Sequence, residues 1–392
     1  MSEYKCIPLG ENVEEMFIGP FGSSLKNECF VDENEAYCMV YEQKHAIHKT
    51  MNVETRYVNE QKYNELKRFS VHGGDIIISC RGTIGETFIV PDDAPLGIMH
   101  PSIMKIRLKD GVYDKYYFNL LLKSRLKKHE AEANGSGIKM AISATELGKE
   151  LFPVPMMEEQ QKIAHIIYQI CLVIEKRKQE LLSLDNLVKA RFVEMFGDVK
   201  HEEKYKGIPL RELCFTISGG TPSTKNTEYY EGNIPWITTV SLGPNHIDGS
   251  TAKGYITQEA IKNSATKLIP AGNILFGTRV GVGKSSINDV DICTNQDIIA
   301  IIGIDENRFN RVFIKHVLDD YQPYYDSLKK GATILGITSD DLKDTLIPDA
   351  PIDVQAEFVA FVDQVDKSKV VVQKALDETK LLFDSLMQKY FG

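Results

Sequence analysis

The chain contains the same sequence pattern twice, at a nearly constant separation. The Ile-Pro-Leu stretch at residues 7–9 returns at 208–210, and the Phe-Gly pair at 196–197 returns at 391–392. Between these markers Gln160 matches Gln355, and the separation drifts only from 201 to 195 residues. A fixed long-range repeat determines architecture before any local pattern does. The sequence therefore predicts a tandem duplication, a pseudo-two-fold object that suits a target with two similarly built parts.

Composition limits the class of protein. The 392 residues suffice for two or three domains, and 43% hydrophobic with 26% charged residues is ordinary for a globular protein. We expect a soluble, cytosolic protein, because no run of about 18 apolar residues occurs. Seven cysteines without a Cys-x-x-Cys pair argue against a disulfide framework and a zinc site. The net charge of −9 argues only weakly against nucleic-acid binding, since a local basic face can bind phosphates.

Each copy ends in a long helical pattern. Apolar residues recur with 4-3-4-3 spacing from Ile163 to Met195 and again from Phe358 to Tyr390, which is coiled-coil periodicity. About 38 residues make a helix of roughly 57 Å, too long for one small domain to cover. We predict that the two helices pair antiparallel; the alternative is two amphipathic helices packed separately on their own domains. The apolar stripes are interrupted at different heights, at Arg177 and Arg191 in the first copy and at Lys369 and Thr379 in the second.

The rest of each copy predicts a mixed α/β domain with many short strands. Short β-rich runs lie at 76–78 and 98–106 in the first copy and at 274–276 and 298–302 in the second. A helix follows in each copy, near 114–128 and 311–321. We therefore predict two tandem α+β domains separated by a two-helix antiparallel coiled coil. The predicted segments are 1–157, 158–197, 198–352 and 353–392.

The motifs of catalysis and cofactor binding are missing. The Gly-Lys-Ser stretch at 283–285 resembles the end of a phosphate-binding loop, but Thr278 stands where that loop needs glycine. No Gly-x-Gly-x-x-Gly follows a strand, and no Pro-Pro pair exists for an Asn-Pro-Pro-Tyr motif of amino-methyltransferases. His45 and His48 have no further His or Cys nearby, which predicts surface residues and not metal ligands. We predict a non-catalytic chain without cofactor or metal.

The loop sequences, taken in order, resemble a known family over the whole chain. The second copy carries Ile-Ser-Gly-Gly-Thr-Pro-Ser at 217–223, Gly-Asn-Ile-Pro-Trp-Ile-Thr at 232–238 and Thr-Asn-Gln at 294–296. The first copy carries Ile-Gly-Pro-Phe-Gly-Ser-Ser-Leu-Lys at 18–26. Their order and duplication closely resemble the specificity (S) subunit of type I restriction-modification systems. The first copy departs by lacking the Pro-Trp-Ile-Thr stretch, and Asp-Ala-Pro at 349–351 replaces a tighter proline pair.

The resemblance implies a target recognition domain in each copy, each binding half of a bipartite site on double-stranded DNA. The paired helices would fix the half-site spacing and dock two adenine-methylating (M) subunits, which flip the target base. Motor-nuclease (R) subunits would complete the enzyme, and the M subunits would share the phosphate contacts. Two other interpretations stay open: a coiled-coil adaptor that binds only protein, and the recognition part of a fused methyltransferase-nuclease.

Comparing the two copies sorts the candidate DNA-contacting residues. A two-headed reader must differ where it reads bases and can agree where it holds the backbone. Arg81 and Arg279 match, which favours a phosphate or structural role. Asn295 and Gln296 differ from their counterparts, and such side chains read adenine, although they also satisfy loop backbone. Polar loops supply further candidates, Ser23, Lys26, Thr221, Ser223 and Lys225. One predicted helix supplies a phosphate-tracking or merely solvated basic set, Lys123, Arg125, Lys127 and Lys128.

Overall fold

The chain divides into two compact units, each containing one globular domain. This computed structural model describes residues 4–81, 83–134, 143–197, 204–330 and 335–392. The first unit is Met1–Arg177 with Ala375–Gly392, and the second is Lys178–Lys374. Each of the two long helices therefore contributes one half to each unit. We call residues 1–197 the first copy and 198–392 the second copy.

The first copy has short strands and five α-helices within the described residues. The strands are β1 (Cys6–Pro8), β2 (Val13–Ile18), β3 (Cys38–Tyr41), β4 (Tyr57–Val58), β5 (Ser70–Val71), β6 (Ile76–Ser79), β7 (Thr87–Ile89), β8 (Gly97–Met99), β9 (Ile103–Leu108) and β10 (Leu151–Pro153). The helices are α1 (Gln43–His48), α2 (Glu60–Glu65), α3 (Lys115–Asn134), α4 (Ala144–Lys149) and α5 (Met157–Phe196).

Among its described residues the second copy repeats most of this order, but a strand replaces the first helix of the first copy, and an additional short helix follows the helix that corresponds to α3. Its strands are β11 (Gly207–Pro209), β12 (Phe215–Ser218), β13 (Ile234–Ile237), β14 (His246–Ile247), β15 (Gly254–Ile256), β16 (Leu268–Ile269), β17 (Ile274–Gly277), β18 (Ser285–Asn288), β19 (Ile292–Thr294), β20 (Ile298–Ile302) and β21 (Leu346–Pro348). Its helices are α6 (Gln258–Lys262), α7 (Arg311–Asp320), α8 (Gln322–Leu328), α9 (Ser339–Lys343) and α10 (Ile352–Phe391).

The sheets of the two copies have the same topology. In the first copy the strand orders are β2-β9-β6-β7, β4-β3-β8-β5 and β1-β10. In the second they are β12-β20-β17-β18-β14, β15-β13-β19-β16 and β11-β21. Most neighbours are antiparallel, whereas β3–β8, β13–β19 and β14–β18 are parallel. The extra strand β14 extends the edge of the larger sheet in the second copy.

A buried glutamine joins each long helix to its domain in the same way. Gln160 is fully buried; its Oε1 accepts from the Asp114 amide at 2.9 Å, and its Nε2 donates to the Val112 and Pro155 carbonyls at 3.0 and 2.9 Å. Gln355 makes the corresponding three bonds in the second copy, at 2.8–3.0 Å. Buried polar backbone groups need such partners, so this glutamine fixes how the domain meets the helix.

The long helices pair antiparallel within each unit, as the sequence predicts. In the first unit, Ile163 and Ile167 near the start of α5 pack in one core with Phe391 at the end of α10. In the second unit, Phe192 near the end of α5 packs against Phe358 near the start of α10, with ring centroids 5.5 Å apart. The tandem α/β domains and the antiparallel coiled coil are thus confirmed.

Two interruptions of the apolar stripes form ion pairs across the helix pair of the second unit. Arg191 of α5 lies 2.6 Å from the Glu357 carboxylate of α10, and Lys369 of α10 lies 2.7 Å from Asp185 of α5. Charged pairs at defined heights favour one helix register over its neighbours.

One predicted β segment is wrong in detail. The apolar run 98–106 is not one strand, because residues 100–102 form a turn between β8 and β9. β8 pairs with β3 in one sheet, and β9 pairs with β2 and β6 in the other. The break falls at His100-Pro101-Ser102, the polar, proline-containing part of the run, and the apolar residues on both sides of it belong to two different buried strands. The helix predicted near 114–128 continues to Asn134.

Candidate nucleic-acid interface

Three loops of the second copy meet at one edge of its five-stranded sheet. They are residues 219–223 after β12, 278–284 after β17 and 295–297 between β19 and β20, and we call them the second loop edge. The Thr278 amide donates to the Asp297 carbonyl at 2.8 Å, and the Gly219 amide donates to Ile298 at 3.0 Å. A Cβ atom on Gly219 would lie 2.1 Å from the Asn295 carbonyl oxygen, so this close approach requires glycine.

Two groups of polar contacts hold the side chains of the second loop edge. Thr221 Oγ1 donates to Gln296 Oε1 at 2.5 Å, and Asn295 Nδ2 donates to Asp297 Oδ2 at 3.1 Å. Arg279 Nη1 lies 3.5 Å from Asp297 Oδ1. Two of the residues predicted from the sequence, Asn295 and Arg279, therefore meet at Asp297, and two others, Thr221 and Gln296, form a second pair in the same loops. The sequence offered only one signal for Asp297, its place in the turn that differs between the copies.

The remaining predicted residues of this edge lie further along the first of its loops. Ser223 and Lys225 are exposed. The loop that presents them is anchored from behind, because Trp236 Nε1 donates to the Gly220 carbonyl at 3.1 Å and the Tyr230 hydroxyl donates to Pro222 at 2.8 Å. A rigidly anchored loop with exposed polar side chains is a common binding surface.

The first copy has a corresponding first loop edge, formed by residues 19–26, 80–81, 83–86 and 100–102. The Cys80 amide donates to the Ser102 carbonyl at 2.8 Å, matching the bond that Thr278 makes in the second copy. Ser23, Lys26 and Arg81 are exposed there, and the Lys26 ammonium lies 3.7 Å from Glu28. The edge thus carries the predicted polar residues of this copy.

The turn of the first loop edge is held by a histidine. His100 Nδ1 lies 2.7 Å from Ser102 Oγ, and the two side chains stand where the second copy has Asn295 and Asp297. Burial lowers the pKa of His100 below its ordinary value, so the ring is neutral at neutral pH. This turn is therefore less charged than its counterpart.

The cations on α3 do not form one face. Lys123 and Lys127 line a cavity of about 780 Å³ in the first unit, whereas the Arg125 guanidinium lies 6.0 Å from the Phe152 ring centroid. Burial, together with nearby Lys49, lowers the pKa of Lys123 to about 8. Successive helix residues are about 100° apart, so alternate positions point to different sides. The side chain of Lys128 lies outside the described residues.

His45 corrects one prediction from the sequence. It is fully buried and not a surface residue, and its Nδ1 accepts a hydrogen bond from the Glu42 amide at 3.0 Å at the start of α1. Burial lowers the pKa of His45, which favours the neutral ring that this bond needs. His48 is exposed, as predicted.

The described residues contain no group of three or more His, Cys, Asp or Glu side chains that could hold a metal ion. In the same part of the chain, no helix is both long and apolar enough to cross a membrane. What the loop edges offer is hydrogen-bonding and cationic side chains on two similarly built surfaces.

Comparison with known proteins places these features in a family. The family model for the type I restriction modification DNA specificity domain matches residues 12–184 and 202–379. The specificity subunit of the Escherichia coli type I restriction enzymes EcoR124I and EcoR124II is 29% identical over 228 residues, which cover 55% of each chain. The Methanocaldococcus jannaschii MjaIX specificity subunit is 27% identical over 176 residues, 44% of this chain and 41% of that relative. The chain thus spans about half the length of these relatives.

The fold also matches a solved structure. A chain from a structure describing complex assembly and conformational transition of the type I R-M system has a TM-score of 0.63 and 18% identity. The match covers 100% of this chain and 98% of that chain. At this identity the likeness concerns the fold alone.

Proposed function

The chain belongs to the type I restriction modification DNA specificity domain family, and on that premise we propose that it is the DNA specificity subunit of a type I restriction-modification complex. Each copy would bind one half of a bipartite site on double-stranded DNA. The observation that carries this proposal is the pair of loop edges, which share one backbone frame and differ in the side chains they present. A shared frame with different side chains is what reading two different half-sites requires.

In this proposal the helix pair sets the distance between the half-sites. Two M subunits dock on it and supply the methyl-transfer chemistry, and R subunits add the motor and nuclease. The chain itself contributes no catalysis and no cofactor. Its net charge of −9 is consistent with a complex in which the M subunits make many of the phosphate contacts. An assembly that acts on cellular DNA would be cytoplasmic.

The two copies are proposed as separable domains, with recognition by 1–157 and 198–352 and spacing by 158–197 and 353–392. Exchanging residues 1–157 for the equivalent part of another S subunit tests this division. The reconstituted complex should then methylate a site that is altered in one half and unchanged in the other, as measured by methylome sequencing. Changes in both halves would contradict separable recognition.

Residue roles within the second loop edge can be distinguished by whether a substitution weakens binding to the cognate half-site alone or to all DNA. Gln296 is oriented by Thr221, so we propose that it reads a base, whereas half-exposed Arg279 beside Asp297 holds a phosphate. Gln296→Ala should cost about 1–3 kcal/mol for the cognate half-site only. Arg279→Ala should weaken cognate and random DNA about equally and reduce the salt slope by about one. Equal losses with Gln296→Ala would show that this side chain does not read sequence.

Arg81 of the first loop edge is proposed as a phosphate contact. The α3 cations Lys123, Arg125, Lys127 and Lys128 are proposed as further phosphate contacts. Ser23, Lys26, Thr221, Ser223, Lys225 and Asn295 complete the proposed DNA-binding set.

The experiment that tests the proposal as a whole uses the chain with and without its M partner. The chain alone should transfer no methyl group, and the complex should produce N6-methyladenine at a bipartite site. Methyl transfer by the purified chain would favour a fused enzyme. A complex without salt-sensitive DNA binding would favour a protein-only adaptor.

A further inference from the structure

The two loop edges differ at one position that the backbone aligns closely. The Gly19 amide donates to the Ile103 carbonyl at the start of β9, and the Gly219 amide donates to the Ile298 carbonyl at the start of β20, at 2.9 and 3.0 Å. Counting from these glycines, Phe21 of the first copy stands where Thr221 stands in the second. The aligned position therefore carries an aromatic ring in one copy and a hydroxyl in the other.

The partner of this position differs as well. In the second copy, Thr221 donates its hydroxyl to Gln296 at 2.5 Å. In the first copy, the residue aligned with Gln296 is Pro101, which has no side-chain donor or acceptor. The hydrogen-bonding pair of the second loop edge is thus replaced by two apolar residues in the first.

Phe21 is presented to solvent by a well-defined turn. It is 86% exposed, the highest value among the large exposed hydrophobic side chains of the described residues. Pro20 restricts the backbone before it, and the Ser24 amide donates to the Phe21 carbonyl at 2.8 Å. A Cβ on Gly19 would lie 2.2 Å from the His100 carbonyl oxygen, so the loop is closely packed at its base. Single exposed hydrophobic residues are common, but this one occupies the position that Thr221 has in the second copy, beside Gln296.

We propose that Phe21 reads a thymine of the first half-site by contact with its 5-methyl group. A phenyl ring can neither donate nor accept a conventional hydrogen bond, and the thymine methyl is the apolar feature of the major groove. This inference rests on the proposed function and deepens it, because it gives the two loop edges different chemistries. The first would select by apolar contact, and the second by hydrogen bonds from the Thr221 and Gln296 pair.

The test removes the methyl group and the ring separately. In the complex with the M subunits, thymines of the first half-site are replaced one at a time by deoxyuridine, which lacks only the 5-methyl. One replacement should weaken binding by wild type about fourfold, the amount expected for losing one buried methyl contact. Phe21→Ala should weaken binding to thymine DNA by at least that factor and should abolish the sensitivity to that replacement.

Two controls separate this contact from general damage. Leu151→Ala removes another exposed apolar side chain, in the β1–β10 sheet, and should leave both DNA affinities at the wild-type values. Deoxyuridine in the second half-site should act equally on wild type and Phe21→Ala.

Three results would overturn the proposal. Phe21→Ala could retain full sensitivity to deoxyuridine, or wild type could ignore every replacement. A 2-aminopurine beside the contact could brighten with wild type and not with Phe21→Ala, which would mean that the ring unstacks bases as a wedge. In each case a complex that still methylates a bipartite site leaves the proposed function intact. A complex that binds no DNA would instead refute the proposed function itself.

Discussion

A buried ion network in the first copy occupies a place that is largely apolar in the second. Lys105 is fully buried. Its Nζ donates to Glu15 Oε2 at 2.6 Å and to the Ser70 carbonyl at 2.7 Å. Arg107 donates two hydrogen bonds of 2.7 Å to Asp75, which is also buried. Four charges thus meet between β2, β6 and β9.

The protonation behaviour of the network reflects its burial. Burial lowers the pKa of the Lys105 ammonium, and the hydrogen bond to Glu15 counteracts this. Burial acts to raise the pKa of Glu15, but Lys105 and Arg107 outweigh it and the pKa falls. The hydrogen bond to Asp75 raises the pKa of Arg107. Each charge is therefore held by its partners, and removing one leaves the others uncompensated.

The second copy builds the same sheet without these charges. Strand pairing aligns Lys105 with Ala300 and Arg107 with Ile302, since β6 pairs with β9 as β17 pairs with β20. Asn273 replaces Asp75 and donates to the Pro270 carbonyl at 2.9 Å. The fold therefore does not require the network, and the second copy is a natural example of its replacement by apolar residues.

The largest expected effect comes from breaking this network in one place. Lys105→Met should lower the unfolding free energy of the first unit by about 3–5 kcal/mol, because it leaves Arg107 alone to compensate two carboxylates, the buried Asp75 and the partly exposed Glu15. Calorimetry of wild type and variant measures the loss. Trp236, the one tryptophan of the chain, lies in the second unit, so its fluorescence during urea unfolding should be nearly unchanged.

The matched control imitates the second copy. Asp75→Asn, Lys105→Met and Arg107→Ile together should cost less than Lys105→Met alone, since no buried charge is left unpaired. Glu15 is partly exposed and can turn to water. A triple variant less stable than the single one would mean that the network itself, and not its completeness, stabilises the first copy.

The next effect concerns a feature that the copies share. Gln160→Leu and Gln355→Leu each leave one amide and two carbonyls without their partner, and should cost about 2–4 kcal/mol. The two losses should agree within about 1 kcal/mol, because the bonding is the same in both copies. Calorimetry detects the first loss and Trp236 fluorescence the second. A large loss in only one copy would show that neighbouring contacts, and not these three bonds, make the glutamine important.

Much of the fold was predictable because the duplication and the helix periodicity extend over long stretches. The predicted helical segments 158–197 and 353–392 begin one residue after Met157 and Ile352, where the helices start. The repeat is visible in the sequence because matching positions of the two copies have similar structural surroundings and so carry similar residues. The segment boundaries of the recognition domains stay predictions.

The side-chain environments were less predictable, because they depend on what covers each strand. Lys105 and Arg107 alternate with apolar residues in β9, a pattern typical of a strand with one face in water. That face is instead covered, and Lys105 lies beside Phe17 with its Nζ 4.9 Å from the ring centroid. Likewise, the contacts of Asp297 with Arg279 join residues from two loops that are distant in sequence. Such convergence follows from tertiary packing, which local patterns do not contain.

The smallest expected effect also distinguishes the copies, and it depends on pH. His316 of α7 aligns with Leu120 of α3, and its ring lies edge-on to Phe358 with centroids 5.3 Å apart. Its Nε2 is buried without a hydrogen-bond partner among the described residues. Burial, reinforced by the nearby Lys315 and Lys369 ammonium groups, lowers the pKa of His316 to about 3.

This lowered pKa should make the second unit lose stability in mild acid. Between pH 6.5 and about 3 the unfolded chain binds a proton that the folded chain does not, so stability falls as pH falls. The expected loss between pH 7.5 and 5.5 is about 1 kcal/mol for wild type. His316→Leu imitates the first copy, and His316→Gln is an uncharged polar variant. In both variants the part of the stability loss in acid that His316 causes should be absent. Urea unfolding followed by Trp236 fluorescence at the two pH values measures it. Wild type and both variants declining equally would mean that carboxylates, and not His316, set the acid sensitivity of the second unit.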